Sequence, residues 1–183
     1  GTYTVSYLTS GNTCAVTGTF DVTITDDEDG TFTYASTEYC KSGSNPTPTI
    51  TGTTGGTFSS TAGLSINSST GEINIAASTA GTYTVSYLTS SNLCAVTGTF
   101  DVTITEDEDG TFTYASAEYC VSGSDPTPTI TGTTGGTFSS TTGLSINAST
   151  GEIDLSASTA GTYTVSYLTS SNTCAVTGTF DVT

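Results

Sequence analysis

The sequence predicts an all-β protein made of tandem immunoglobulin-like β-sandwich repeats with an 80-residue period. Three observations carry that expectation. Gly1–Ser10 (GTYTVSYLTS) returns as Gly81–Ser90 and again as Gly161–Ser170. Polar and apolar residues alternate with the period of two that a half-buried strand requires. Turn residues interrupt the chain about every 8–12 residues, the spacing of a sandwich with roughly seven short strands per unit.

The repeat is close. Residues 1–80 and 81–160 differ at 11 positions, so 69 of 80 are identical, and 161–183 differ from 81–103 only at Thr173, where the earlier copy has Leu93. Copies this alike fit a mechanical or spacing role better than a separate chemistry in each. The chain has 183 residues, room for two small units and a remnant. Units of this size sit near the lower limit for independent folding, so a covalent staple is expected.

Within one unit, Phe32 and Tyr34 alternate with polar residues in Thr31–Ser36. Shorter strands are expected over Thr47–Thr51, Thr57–Ser60, Leu64–Ile66 and Glu72–Ala76. Tyr83, Val85 and Tyr87 then alternate with Thr82, Thr84 and Ser86. Cys94, Val96, Phe100, Val102 and Ile104 alternate with Ala95, Thr97, Thr99, Asp101 and Thr103. Side chains branched at Cβ suit this pleated surface. Ser42-Gly43, Asn45-Pro46, Gly55-Gly56, Thr70-Gly71 and Ala80-Gly81 supply the turns. The apolar members of these strands, with Ile50, Phe58, Leu64, Ile66, Ile73 and Ile75, form the expected core. No useful helical period is present.

Two acidic runs, Asp26-Asp27-Glu28-Asp29-Gly30 and Glu106-Asp107-Glu108-Asp109-Gly110, are read as linkers. The expected division is 1–25, the C-terminal part of a truncated repeat; 26–30, linker; 31–105, repeat; 106–110, linker; 111–183, repeat. The rival register makes Asp29-Gly30 the turn of a hairpin joining 23–25 to 31–34. The chain reads as a window on a longer array, with any export signal, anchor or tip domain outside it.

In the linker register each whole unit holds two cysteines. The expected disulfides are Cys40–Cys94 and Cys120–Cys174, with the partner of Cys14 outside the chain. A bridge closing about 55 residues stabilises by roughly 4 kcal/mol in the chain-entropy model. It implies an oxidising, extracytoplasmic location. A zinc site is disfavoured, because the chain has no His and no two cysteines are two to four residues apart.

Charge excludes other classes. One Lys and no Arg stand against 17 acids, a net charge of −16. Nucleic acid is therefore a poor partner, since phosphate binding needs clustered cations. Anionic lipid is disfavoured likewise, and no run of about 20 apolar residues spans a membrane. Without His, and with Lys41 replaced by Val121 in the next copy, no Ser–His–Asp, Cys–His, Ser–Lys or Lys–Asn arrangement recurs. No Gln is present for an ester or thioester cross-link. Gly52–Gly56 lacks the Lys and helix of a phosphate loop and reads as a turn. An enzyme is not expected.

The acidic linkers are the one constellation with chemistry to offer. Asp26, Asp27, Glu28 and Asp29, and Glu106, Asp107, Glu108 and Asp109, either repel into a solvated, extended hinge or hold calcium, a hard cation that prefers oxygen ligands. They lack the regular spacing of an EF-hand loop. Tyr39, Tyr83 and Tyr87 could stack on sugars, but the alternation assigns Tyr83 and Tyr87 to the core. Asn67-Ser68-Ser69 and Asn147-Ala148-Ser149 match the N-glycosylation pattern.

Tyr39-Cys40-x-Ser42-Gly43-x-x-Pro46-Thr47-Pro48-Thr49-Ile50-Thr51-Gly52, followed by Gly63–Asn67, Thr70–Ile73 and Gly81–Val85, resembles the tandem immunoglobulin-like repeats of giant Bacteroidota cell-surface adhesins, among them the SprB-like gliding-motility adhesins. The resemblance covers the whole chain. It implies a cell-surface filament exported by type IX secretion, moved by an envelope motor in gliding species, with no catalytic residues. The reading at this stage is the stalk of a long extracellular adhesin. Its partners are neighbouring repeats, and surface polysaccharide or a motility motor would engage regions outside this chain. A laterally self-assembling sheath and a carbohydrate-binding module array are the alternatives.

Overall fold

A computed structural model describes residues 1–10, 13–90, 93–170 and 173–183. β1 (Thr2–Leu8) and β2 (Thr17–Thr23) form an antiparallel hairpin. The first whole unit contains β3 (Phe32–Thr33), β4 (Glu38–Cys40), β5 (Thr49–Ile50), β6 (Thr57–Ser60), β7 (Gly81–Leu88) and β8 (Thr97–Thr105). The second contains β9 (Phe112–Thr113), β10 (Thr129–Ile130), β11 (Thr137–Ser140), β12 (Ser145–Ile146), β13 (Ile153–Asp154), β14 (Tyr163–Leu168) and β15 (Thr177–Val182). The fold is all-β, and each unit is an immunoglobulin-like sandwich.

In the first unit one layer is a sheet of order β4–β8–β7–β6, with β4 parallel to β8 and the other pairs antiparallel. The opposing layer contains β3 paired with β5 and a bridge between Ile66 and Ile73. β2 pairs with β1 and β3 with β5, so Asp29-Gly30 does not turn a hairpin between β2 and β3. The second unit has sheets β11–β14–β15, β9–β10 and β12–β13, the first of these lacking a strand at the place of β4.

Alternation along β7 explains the core. Tyr83, Val85 and Tyr87 point between the layers and are buried, while Thr82, Thr84 and Ser86 lie outward. Phe32 of β3 meets the other layer edge-on, with its ring 5.3 Å from Phe58 and 5.9 Å from Tyr87. Burying each such aromatic is worth about 1.5–3 kcal/mol, and edge-to-face contact adds to that. Of the expected core, Ile50, Ile66, Phe100 and Val96 are only partly buried. The outer face is a ladder of cross-strand pairs: Thr84 Oγ1 donates to Asp101 Oδ1 at 2.7 Å, and Thr82 and Thr103 share a hydroxyl bond at 3.0 Å. Such pairs stabilise a solvated face by a few tenths of a kcal/mol each, up to about 1.

The β1–β2 hairpin shows how much of this depends on the second layer. Its register, Tyr3 opposite Val22, is that of Tyr83 opposite Val102. Yet Tyr3 is 61% exposed where Tyr83 is 6% exposed.

Sequence reading missed β4. It is three residues long and shows no alternation over that length, and it pairs parallel with the end of β8: Glu38 opposite Thr103 and Cys40 opposite Thr105. Conversely, Cys94–Val96 precede β8 and form no strand.

Candidate functional site

The joint between the two whole units is where the chemistry collects. β4 places Cys40 beside Thr105, the last residue of β8. The chain then runs through Glu106–Gly110 into the second unit. There the β14–β15 hairpin, closed by Thr169 N donating to Val176 O at 3.0 Å, returns Cys174 to that same end. Cys40 and Cys174 form a disulfide across the joint, with Cα atoms 5.4 Å apart and a separation of 134 positions in sequence.

This corrects the expected pairs Cys40–Cys94 and Cys120–Cys174. Cys94 lies before the start of β8 and Cys40 beside its end. Nine residues of strand separate them, about 26 Å at roughly 3.3 Å per residue. A disulfide needs Cα atoms within about 7 Å. The loop length was right for a staple, but the two cysteines of a unit sit at its opposite ends. Cys94 instead places Sγ 3.0 Å from the Thr25 hydroxyl, at the end of the preceding hairpin. Cys14 and Cys120 are exposed thiols.

Polar contacts brace the clasp. Glu38 accepts from Thr105 of its own unit through Oε1 at 2.8 Å and from Thr173 of the next unit through Oε2 at 3.3 Å. The Ser42 hydroxyl donates to Asp107 Oδ1 at 2.8 Å. Glu108 N donates to Cys174 O at 3.1 Å, as Glu28 N does to Cys94 O at 3.0 Å. A cleft of ≈ 600 Å³ lies at this joint, bordered by Glu38, Tyr39, Cys40, Asp107, Thr173 and Cys174. A second cleft, of ≈ 570 Å³, is lined by Tyr119, Gly161 and Val182. In the first unit Ile104 fills the corresponding position, opposite Tyr39 and Gly81.

The acidic runs are built into the units. Asp29 Oδ1 accepts from the backbone N of Thr31 at 2.9 Å and from its hydroxyl, and Asp29 O accepts from Thr53 N at 2.7 Å. Asp109 does the same with Thr111 and Thr133. These bonds, the hydroxyl first, hold both carboxyls below the usual carboxylate range. Gly30 follows so closely on Gly98 that a Cβ on Gly98 would lie 1.9 Å from Gly30 O. Asp26, Asp27 and Glu106 are exposed. Among the described residues no three His, Cys, Asp or Glu side chains gather as metal ligands.

Tyr83 and Tyr87 are buried, as the alternation requires. The Tyr39 hydroxyl accepts from Ser36 N at 2.9 Å, and its ring packs against the core. The Asn67 side chain caps its own turn, accepting from Ser69 N at 2.9 Å and Thr70 N at 3.1 Å. Burial raises the Tyr34 phenol, with neighbouring Tyr39 adding to the effect. Tyr34 donates to Gly71 O.

Sequence reasoning missed Glu38, Ser42 and Thr173. One signal was available: Thr173 is the only change in its 23-residue copy, and Thr13 shares it.

No protein-family profile matches the chain, and no curated protein does. Similar solved structures include a SusE-like, surface-located polysaccharide-binding protein of Bacteroides thetaiotaomicron, at 16% identity and TM-score 0.36, covering 82% of this chain and 33% of that one. They also include mouse cadherin-23 repeats EC22–24, at 14% identity and TM-score 0.37, covering 99% of this chain and 72% of that one. Mouse protocadherin-24 repeats EC1–3 match at 12% identity and TM-score 0.29, covering 99% and 78%. The chain spans about a third of the length of the first of these. Similarity at this level bears on neither activity nor partner.

Proposed function

We propose that this chain is a stretch of the stalk of a long extracellular adhesin filament, one that presents a distal adhesive region for surface attachment or gliding motility. The observation that carries the reading is the Cys40–Cys174 bond, which ties one sandwich to the next instead of stapling either internally. A bond at that place serves load. Force along the chain crosses the joint through sulfur as well as through Glu106–Gly110. A surface of Thr, Ser and Asp with net charge −16 keeps parallel stalks apart. The disulfide fits an oxidising exterior.

Pulling a single chain by its ends tests this. With the clasp closed, the chain between its cysteines, a separation of 134 positions, is shielded, hiding roughly 450 Å of contour at about 3.3–3.6 Å per residue. Reduction should release that length. Full extension under non-reducing conditions would sink the load-bearing role.

A further inference from the structure

We propose that the cleft at the joint is a thiol–disulfide exchange site, one that admits cationic low-molecular-weight thiols to the Cys40–Cys174 bond and turns anionic ones away. As a control on the strength of a stalk, it rests on the load-bearing reading of that bond.

Both cysteines border the cleft, whose volume is ≈ 600 Å³. Clefts that take small molecules run from roughly 300 to 1,000 Å³. Cys40 is half-buried and Cys174 is 3% exposed, so a reagent entering there meets the Cys40 sulfur first.

The cleft carries charge of one sign. Among the described residues that border it, the ionised side chains are Glu38 and Asp107. Hydroxyls hold both in place and bring no positive charge: Thr105 and Thr173 donate to Glu38 at 2.8 and 3.3 Å, and Ser42 donates to Asp107 at 2.8 Å. Glu38 thus touches the residue before Cys174, and Asp107 touches a residue two beyond Cys40, so both carboxylates stand beside the bond. Lys41 follows Cys40 in sequence, but its ammonium turns to the carbonyls of Ile75, Ala76 and Ser78. It borders no part of the cleft.

Exchange is carried by the thiolate, which is already negative. As reacting thiolates, cysteamine is a zwitterion, mercaptoethanol a monoanion and mercaptoethanesulfonate a dianion. Two fixed carboxylates in a confined cleft make each further negative charge harder to bring in.

The thiolate attacks the Cys40 sulfur and forms a bond to it. The Cys40–Cys174 bond breaks, its electron pair leaving on Cys174, which takes a proton from solvent. A second thiolate attacks the outer sulfur of the mixed disulfide and releases Cys40, which is protonated in turn. Two small thiols are oxidised to one disulfide, and the protein disulfide is reduced to two thiols.

The test reduces the whole oxidised chain with each of the three thiols and scores Cys40 and Cys174 by alkylation and peptide mapping. Rates are taken per thiolate and divided by those for hydroxyethyl disulfide, an uncharged reference that removes differences in nucleophilicity. At about 0.01 M salt each added negative charge should slow reduction about five- to tenfold. At about 1 M, where the screening length falls from about 30 to about 3 Å, the step should shrink to about twofold or less. Glu38→Gln and Asp107→Asn should each compress the spread. Glu152→Gln removes a carboxylate that borders no part of the cleft and should leave the spread unchanged. Samples quenched early with acid should carry the first cysteamine on Cys40. The salt series needs no substitution, so it stands if a variant fails to fold.

Equal relative rates for the three thiols overturn the proposal. So does a spread that Glu152→Gln narrows as much as Glu38→Gln does, or a first adduct on Cys174. Those results leave the Cys40–Cys174 tie and its force response standing. Absence of the tie from the non-reduced peptide map removes both readings.

Discussion

Lys41 Nζ donates to the backbone carbonyl of Ser78. The same ammonium reaches the carbonyls of Ile75 and Ala76, each at 3.2 Å. It is the chain's only Lys, and it caps the turn that leads into β7. The second unit has Val121 there, half exposed, so its equivalent carbonyls have no such cap. Lys41→Val should destabilise the first unit by about 1–2 kcal/mol, the scale of hydrogen bonds to a charged donor at a partly solvated site. Val121→Lys should raise the stability of the second unit by a smaller amount. Denaturant unfolding would check this, and unchanged midpoints for both variants would show the ammonium contacts to be without weight.

Glycine substitutions read the docking of the linker. Gly18, Gly98 and Gly178 occupy one repeat position. A Cβ at Gly98 would meet Gly30 O at 1.9 Å, and one at Gly178 would meet Gly110 O at 1.9 Å. A Cβ at Gly18 has nothing within 4 Å. Contacts that short force backbone to move, so Gly98→Ala and Gly178→Ala should each destabilise their unit by about 1–3 kcal/mol. Gly18→Ala should be neutral. Thermal melts of the three variants decide it, and equal behaviour at all three positions would contradict the close approach.

Acid should separate the units. Asp154 Oδ1 accepts from Ala157 N and from the Ser156 hydroxyl, both at 2.9 Å, and these bonds, the backbone one first, hold its carboxyl below the ordinary range. A depressed folded value contributes stability that is present above the unfolded pKa of about 4 and is lost as pH falls through the folded one. Asp29 and Asp109 carry the same sensitivity in both units. At the position of Asp154 the first unit has Asn74, whose Oδ1 accepts from Ala77 N at 3.1 Å without titrating. Below pH 4 the second unit should unfold first, and Asp154→Asn should move its acid midpoint toward that of the first. A midpoint unaffected by the substitution would rule out the carboxylate as the cause.

Non-reducing peptide mapping should recover Cys40–Cys174. Recovery of Cys40–Cys94 from folded chain would contradict a placement at opposite ends of β8. In the chain-entropy model a loop of this length stabilises by about 5 kcal/mol. That effect acts on the pair of units together, so Cys40→Ser should make the two unfold more independently.

Much of the sandwich was legible because burial and sequence share one period. Tyr83, Val85 and Tyr87 alternate in the sequence and alternate in the core. The clasp was not legible, because nothing local to Cys40 says which end of the unit it occupies. That is set by β4, three residues pairing parallel with the end of a strand more than 60 residues later. Cysteine count gave the right chemistry and the wrong partners. The linkers likewise carried a clear charge signal, but their fixing long-range contacts, Asp29 to Thr53 and Gly30 to Gly98, depend on which segments lie beside them.

The separation of the clasped cysteines, 134 residues, exceeds the 80-residue period. Repeated at each joint, such bonds would overlap like roof tiles, every residue lying beneath at least one. No unit could then be drawn out by tension until a sulfur–sulfur bond broke. A filament of this kind would hold a fixed length under load and give way by chemistry, so its tensile limit would follow the reducing power of the surrounding medium.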